Sequence, residues 1–250
     1  MSTPTVYLVS GANRGINDCL ALVTALAARP DTIVFAGARQ PASATELSKL
    51  AAAHPGKVHV VSLISADKEN NLAAVEVIRK EAGHLDVVIA NAAVGDAHEG
   101  ALEVKREDMI RHFDINVNGP LLLFQATYPL LKESRVPKFV ALTSPMGSIH
   151  TGASWPGGLY NYGASKAAMN WVVRKLHHDF QEIVAFPISP GFVESDMSQE
   201  VLQYEPWMAN IPRIKQEESV NGILAQVDKA TRETHGGKFI DYTGVKEWNW

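Results

Sequence analysis

Cysteine is almost absent from this chain, and other scarcities narrow what it can do. Cys19 is the only cysteine, which excludes an intrachain disulfide and a metal centre built on several thiolates. Lysine and arginine number 23 against 27 aspartate and glutamate residues, so a nucleic-acid-binding surface is not expected. No run approaches the roughly 18 apolar residues of a membrane-spanning helix, and the first residues lack the pattern of a signal peptide. These scarcities predict a cytoplasmic protein with no metal, nucleic acid or membrane as a partner.

Short apolar runs that alternate with helical patterns are what the chain does contain. The runs predict strands at 5–10, 32–37, 57–63, 86–91, 138–144, 182–189 and 237–242. They are apolar nearly throughout, as parallel strands covered on both faces are. Apolar residues at every third or fourth position predict helices at 19–28, 69–83 and 166–180. We therefore predict one α/β domain over residues 1–250, a doubly wound Rossmann-type fold with a seven-stranded parallel sheet.

The stretch VSGANRGIND, residues 9–18, follows the first predicted strand and contains two glycines. Gly11 turns the chain, and Gly15 lets the backbone approach a ligand where the next helix begins near Ile16. The N–H groups at a helix start, together with the positive end of its dipole, attract a phosphate. The spacing is G-x-x-x-G, which on its own is as typical of a plain strand-to-helix turn as of a nucleotide site.

Four polar residues stand out in the middle of the chain. Tyr162 and Lys166 are four apart on a predicted helix and therefore share a face. Ser144 ends a predicted buried strand, at the edge where α/β sheets bind ligands. Asn116 lies in an otherwise apolar helical stretch. Each also has a simpler explanation, because a Tyr-x-x-x-Lys pair arises by chance, Ser144 could satisfy a backbone group, and Asn116 could bridge the backbone.

Taken together, SGANRGI, FDINVNG, FVALTS and YNYGASKAAMNW resemble the short-chain dehydrogenases/reductases, in order and over the whole chain. That family carries its active site on a glycine turn, an N-x-x-G stretch, a strand-end serine and a Y-x-x-x-K helix. GANRGI, YGASKAAMNW and GGKFIDYTGVKEW look most like the norsolorinic acid ketoreductase-like branch of fungal secondary metabolism. The resemblance implies that the catalytic residues are Asn116, Ser144, Tyr162 and Lys166.

The resemblance also implies a role for each of these four side chains. Tyr162 would exchange a proton with the substrate oxygen, Ser144 would hold that oxygen, and Asn116 would hold a water that links Lys166 to solvent. A free tyrosine has a pKa of about 10 and is a poor acid–base group at neutral pH. We expect the Lys166 ammonium to lower the pKa of Tyr162. Hydride has to come from a cofactor, because no side chain supplies one.

Two arginines favour NADP as that cofactor. Arg14 in the glycine turn and Arg39 after the second predicted strand stand where a 2′-phosphate would lie. No acidic residue occurs between positions 32 and 40 to grip the ribose hydroxyls instead. The resemblance implies a cofactor site made of Gly11, Asn13, Arg14, Gly15, Ile16, Arg39, Asn91, Ala92, Tyr162, Lys166, Pro190, Gly191, Val193 and Ser195.

Asn17 departs from the family, which places a third glycine of the turn at this position. Its side chain either crowds the pyrophosphate or is tolerated, since asparagine adopts unusual backbone angles more readily than most residues. Two functions therefore stay open. One is an NADPH-dependent reductase of an apolar, polyketide-like ketone, and the other is a non-redox cyclase, dehydratase or hydrolase on the same fold. A catalytically silent nucleotide sensor is a third, against which the complete catalytic set argues.

The segment 192–212 lies where the family has its mobile substrate loop. Its large apolar and aromatic side chains suit an apolar small-molecule substrate; they are Met197, Leu202, Tyr204, Trp207 and Met208. The resemblance further implies a homodimer or homotetramer formed through helices near 106–133 and 160–180.

Overall fold

The computed structural model describes residues 3–12, 18–244 and 247–250. Within these ranges the strands are β1 (Thr5–Val9), β2 (Thr32–Ala38), β3 (Val58–Ser62), β4 (Val87–Ala90), β5 (Lys138–Leu142), β6 (Val184–Ser189) and β7 (Ile240–Asp241). The α-helices are α1 (Asp18–Ala28), α2 (Thr45–Ala53), α3 (Lys68–Glu81), α4 (Arg106–Phe113), α5 (Gly119–Leu131), α6 (Tyr160–Asp179), α7 (Asp196–Tyr204) and α8 (Gln216–Lys229). A π-helical turn at Asp114–Asn118 joins α4 to α5, and a 3-10 helix at Pro206–Asn210 follows α7.

The seven strands form one parallel sheet in the order β3-β2-β1-β4-β5-β6-β7. The order switches direction at β1, because β2 and β3 lie on one side of it and the later strands lie on the other. Such a switch point leaves a crevice at the carboxyl ends of the strands, where α/β proteins bind ligands. The predicted doubly wound Rossmann-type fold with a seven-stranded parallel sheet is confirmed.

Apolar side chains cover both faces of the sheet. On one face α1 and α8 bury Leu22 and Ile223 against the strands. On the other face α3, α5 and α6 bury Ile78, Phe124 and Val173. Burial on both faces explains why the strands read as continuous apolar runs rather than as an alternating pattern.

The element boundaries differ from the predicted ones at places that matter for the site. β5 ends at Leu142, so Ser144 lies two residues beyond the strand and starts a 3-10 turn. α6 begins at Tyr160, six residues before the predicted start, because its first residues, YNYGAS, show no apolar periodicity. β7 covers only two residues. The sheet itself was therefore easier to predict than the segments that leave it.

Residues 247–250 run back along the edge of the sheet and reach the loop after β5. The Trp248 N–H donates to the Phe239 carbonyl over 2.8 Å. The Trp250 carbonyl accepts from the His150 N–H at 3.0 Å, and the Asn249 carbonyl accepts from the Ser148 hydroxyl at 2.6 Å. The loop that carries Ser144 is thus tied down from the far edge of the sheet.

Two classes of site are not found among the described residues. No three His, Cys, Asp or Glu side chains in the described ranges are placed to hold a metal ion. None of the described helices is long and apolar enough to cross a membrane.

Candidate active site

The floor of the crevice forms where β1 and β4 end. The Ser10 hydroxyl accepts from the N–H groups of Asn91 and Ala92, at 3.0 and 3.1 Å, and the Asn91 amide donates to the Ser10 carbonyl at 2.9 Å. Gly11 has φ +70, and a Cβ at this position would lie 2.8 Å from the Ala92 Cα. Only glycine fits so close to the neighbouring strand end. Three predicted cofactor residues, Gly11, Asn91 and Ala92, therefore lie side by side.

The glycine turn itself is only partly described. Asn13, Arg14, Gly15, Ile16 and Asn17 lie outside the described residues, so their roles stay predictions. α1 begins directly after this turn, at the carboxyl edge of the sheet, where a helix N-terminus favours an anion.

Arg39 is the first residue after β2 at the same edge. Its side chain is exposed, and it forms no ion pair with the residues that the structure describes. A guanidinium in this position is available to a phosphate.

The catalytic helix brings Tyr162, Lys166 and Ser144 together. The Lys166 Nζ lies 5.6 Å from the centre of the Tyr162 ring and donates to the Leu142 carbonyl at the end of β5 over 2.9 Å. Tyr162 and Ser144 border the same cavity, and the Ser144 Oγ accepts from the Met146 N–H at 3.2 Å. The predicted meeting of a strand-end serine with a tyrosine–lysine helix is what the geometry shows.

Burial sets the protonation of this group. It raises the pKa of Tyr162 to about 12, although the hydrogen bond from Ser144 acts in the opposite direction. It lowers the pKa of Lys166 to about 8, because the ammonium is out of water. The pKa of Tyr162 is thus raised and not lowered in this structure, because desolvation of the phenolate is the largest cause. At neutral pH Tyr162 is therefore a protonated phenol.

Asn116 lies in the π-helical turn and holds the loop that follows β4. Its Oδ1 accepts from the Val94 N–H at 2.8 Å, and its Nδ2 donates to the Val94 carbonyl at 2.9 Å and to the Ser165 hydroxyl at 3.0 Å. The amide thus bridges backbone, as its simpler explanation proposed, and it does so next to Tyr162. Its water-holding role stays a prediction.

The loop held by Asn116 is part of the site that the sequence did not reveal. A Cβ at Gly95 would lie 3.1 Å from the Tyr162 ring, so this loop packs directly on the catalytic side chain. Arg111 pairs with Asp96 at 2.6 Å, and the Asn161 amide donates to the Ala97 carbonyl at 2.8 Å. The only sequence signal was a run of glycine and polar residues directly after a strand.

The end of β6 supplies the opposite wall. The Pro190 carbonyl accepts from the Ser219 hydroxyl at 2.7 Å, and Val193 pairs with Ile214 in an isolated parallel bridge. Gly191 lies between Pro190 and Val193 and lines the cavity that Ser144 and Tyr162 also border. The Ser195 hydroxyl accepts from the Ser198 N–H at 3.1 Å and caps α7. Its predicted contact with a carboxamide stays a prediction.

The segment predicted as a mobile loop is largely helical. Residues 192–212, which we call the lid, contain α7 and the 3-10 helix, because Ser195 and Ser198 form a reciprocal cap that starts α7. The lid closes over a cavity of about 100 Å³, the inner cavity, which Ser144 and Tyr162 border. Thr143, Ser195 and Ser198 also line it, and most of the other lining side chains are apolar, among them Met146, Leu159, Phe192, Val193, Met197, Val201 and Met208. The chemistry that fits is proton transfer to an apolar substrate.

Glu205 fastens the lid to the catalytic helix. It is 3% exposed, and its carboxylate accepts from the Gly158 N–H at 2.6 Å and from the Trp207 indole at 2.9 Å. Gly158 lies just before α6. No local sequence pattern indicates this contact, because a glutamate followed by proline and tryptophan is typical of an exposed loop.

Comparison with known proteins agrees with this geometry. A family model described as short chain dehydrogenase matches residues 5–206. The norsolorinic acid ketoreductase of Aspergillus parasiticus is 38% identical over 255 residues, which cover 98% of this chain and 91% of that protein. A norsolorinic acid ketoreductase of Emericella nidulans is 36% identical and covers 98% of this chain and 94% of its own.

A solved structure gives the same result for the fold. The NADPH bound carbonyl reductase from chicken fatty liver superposes with a TM-score of 0.85 at 28% identity, over 100% of both chains. The crevice, the serine and the tyrosine–lysine helix of this chain stand on that shared fold. The chain belongs to the short-chain dehydrogenase family of oxidoreductases.

Proposed function

We propose that the protein is an NADPH-dependent reductase of an apolar ketone. The observation that carries the proposal is that Ser144 and Tyr162 border the same, largely apolar inner cavity. A ketone in that cavity would place its oxygen beside two hydroxyl donors and its apolar substituents against the lid. The ketoreductases and carbonyl reductases to which the chain is similar support the same reaction class.

The protonation of the site suits reduction. A pKa of about 12 keeps Tyr162 protonated at neutral pH, so the phenol donates its proton to the ketone oxygen while Ser144 donates a hydrogen bond to the same oxygen. A reduced nicotinamide held in the crevice would supply the hydride for the carbonyl carbon. Lys166, 5.6 Å from the ring, stabilises the phenolate that remains. The product is an alcohol, and solvent returns the proton to Tyr162.

The described residues fit a dinucleotide. Gly11 lets the end of β1 pack directly against Ala92 at the floor of the crevice, and α1 begins at the edge of that crevice. Exposed Arg39 would hold the 2′-phosphate, Asn91 and Ala92 would border the ribose side, and Pro190 to Ser195 would border the nicotinamide. Arg14 would assist from the undescribed turn. NADP rather than NAD is therefore our proposed cofactor.

We also propose a cytoplasmic homodimer or homotetramer. Exposed apolar side chains on the helices named for assembly support it, namely Ile110, Phe113 and Trp171. Such side chains lose contact with water when two copies pack together.

Asn17 supports a second candidate, a non-redox cyclase, dehydratase or hydrolase that uses Tyr162, Lys166 and Ser144 for acid–base work. The variant Asn17→Gly separates the two. If NADPH affinity rises from near nothing, the natural protein works without nicotinamide. If affinity is unchanged or falls, Asn17 is tolerated and the reductase stands. Thermal melts without cofactor measure any effect on stability separately.

A titration of the pure protein with NADPH, followed by cofactor fluorescence, tests the proposal directly. We expect saturable binding, and NADPH consumption that depends on an added aromatic ketone. Tyr162→Phe should keep the binding and lose the turnover. Absence of NADPH binding would rule the reductase out, and turnover in a cofactor-free preparation would favour the non-redox enzyme.

A further inference from the structure

A second cavity lies behind one wall of the inner cavity. This outer cavity of about 290 Å³ lies between the loop after β5 and the first turns of α6. Met146 and Leu159 line both cavities and form the partition between them. None of the residues that line the outer cavity carries a charge, and Trp155, Ile149 and Tyr160 give it aromatic and apolar walls.

The sizes of the two cavities argue that they belong together. The inner cavity has a volume of about 100 Å³. Pockets for larger ligands span roughly 300–1,000 Å³. The two cavities together pass that lower limit, and neither does so alone. An extended ketone therefore needs the outer cavity.

The partition is held in a strained conformation. Leu159 has φ 61 and ψ 26, the left-handed region that branched side chains rarely adopt. It is 4% exposed, so the strain is not relieved by contact with water. Strain of this kind, of order 1–3 kcal/mol, persists where the surroundings impose it and concentrates at functional sites.

The lid imposes the conformation of this turn. Glu205 accepts from the Gly158 N–H, and Gly157 has φ +104. A Cβ on Gly157 would lie 1.9 Å from the Glu205 carboxylate, so no larger residue fits. The partition is thus rigid on the Leu159 side, whereas the unbranched Met146 on the other side adapts to a ligand.

We propose that the outer cavity is a second substrate subsite, which takes the distal rings of an extended aromatic ketone while the inner cavity holds the reacting carbonyl. Leu159 determines how much of the ligand passes from one cavity to the other. The assignment rests on the proposed reductase function, and it names the size and chemistry of the substrate. Flat small-residue walls at Ala164 and Ala167 suit the face of a ring.

The test compares a one-ring ketone, acetophenone, with a three-ring ketone, 2-acetylanthracene. Two substitutions, which we call the plugs, are designed to fill the outer cavity from different walls. They are Ala164→Phe on α6 and Ala153→Phe in the loop after β5. Each should raise the KM for 2-acetylanthracene at least about tenfold, since the distal rings lose their burial. The KM and kcat for acetophenone should stay unchanged. Ala52→Phe, at an exposed alanine on the remote α2, is the matched control, and gel filtration checks that assembly is unaltered.

Opening the partition gives the opposite change. Leu159→Gly suits the left-handed conformation and joins the cavities, so the KM for 2-acetylanthracene should fall even though loss of the buried side chain lowers the melting temperature. If the plugs change both ketones equally, or change neither, the outer cavity is not a subsite. If the protein reduces neither ketone, the result contradicts the proposed reductase function, and the subsite has to be tested by binding alone. Quenching of tryptophan fluorescence by 2-acetylanthracene then tests the subsite, and equal affinity for wild type and Ala164→Phe would overturn it.

Discussion

The sheet and the lid hold their residues in place by different means. Both faces of the sheet bury large clusters, which include fully buried Phe139 and Phe186. The lid has a separate small cluster, in which Leu159, Val201 and Met208 are buried and Tyr162 packs against them. One buried carboxylate, Glu205, supplies its polar attachment. Substitutions in the sheet should therefore act mainly on folding, whereas substitutions around the lid should act mainly on substrate binding.

Tyr162→Phe should separate chemistry from folding most strongly. The phenol proton is lost while the ring still packs under the lid, so kcat should fall by about 10³, within the usual range for a general acid. Steady-state kinetics with NADPH and an aromatic ketone measure the loss. The melting temperature and the NADPH affinity serve as controls and should stay unchanged. Retained turnover would show that another group donates the proton.

Phe139→Ala and Met208→Ala compare the two regions by stability. Phe139 is fully buried in the sheet, and its truncation should cost about 3–5 kcal/mol of unfolding free energy. Met208 borders the inner cavity and is 8% exposed, so its truncation should cost about 2 kcal/mol or less and mainly raise the KM. Urea denaturation measures both. Equal losses would mean that the lid is part of the same cooperative core.

Glu205→Ala should loosen the lid without removing a catalytic group. It leaves the Gly158 N–H and the Trp207 indole without their acceptor, at a cost of about 1–3 kcal/mol. We expect the KM for an extended ketone to rise about tenfold with a smaller change in kcat. Glu205→Gln keeps one acceptor oxygen, so its KM and stability should lie between those of wild type and Glu205→Ala. Glu217→Gln, at an exposed position on α8, is the control and should match wild type. An effect confined to stability would leave Glu205 a purely structural residue.

The pH dependence gives the smallest expected effect. Lys166 has a pKa of about 8 in the folded protein, so its ammonium is lost above pH 8 and kcat should decline there. The free energy of unfolding should change in the opposite direction. Between pH 8 and the ordinary lysine pKa of 10.5, Lys166 is protonated in the unfolded chain and largely deprotonated in the folded one. The unfolded chain therefore binds more protons, and the free energy of unfolding rises with pH. The stability contribution of Lys166 therefore rises as the pH increases above 8. Urea unfolding across this range, with Lys166→Met as control, checks the sign.

Local sequence patterns predicted the strands and the catalytic helix. They did not predict the contacts between segments that are distant in the chain. Continuous apolar runs sufficed for the sheet, and the four-residue spacing of Tyr162 and Lys166 placed both on one helix face. The raised pKa of Tyr162 depends on how the lid and the Gly95 loop cover it, which no local pattern shows. Glu205 meets Gly158 across 47 residues of chain. Contacts of this range follow from the path of the lid and not from the residues beside them.

The central position of β1 has a consequence for synthesis on the ribosome. Tyr7 pairs with Val87, so the strand that leads into the glycine turn waits for its second neighbour until about 80 further residues have emerged. At roughly 5–20 residues per second this delay lasts several seconds. The cofactor floor at Gly11 and Asn91 then forms first, the catalytic helix follows, and the lid is added later. A nascent chain thus completes its nucleotide crevice before it has a substrate site, and a nucleotide ligand that binds early would stabilise the half-made sheet.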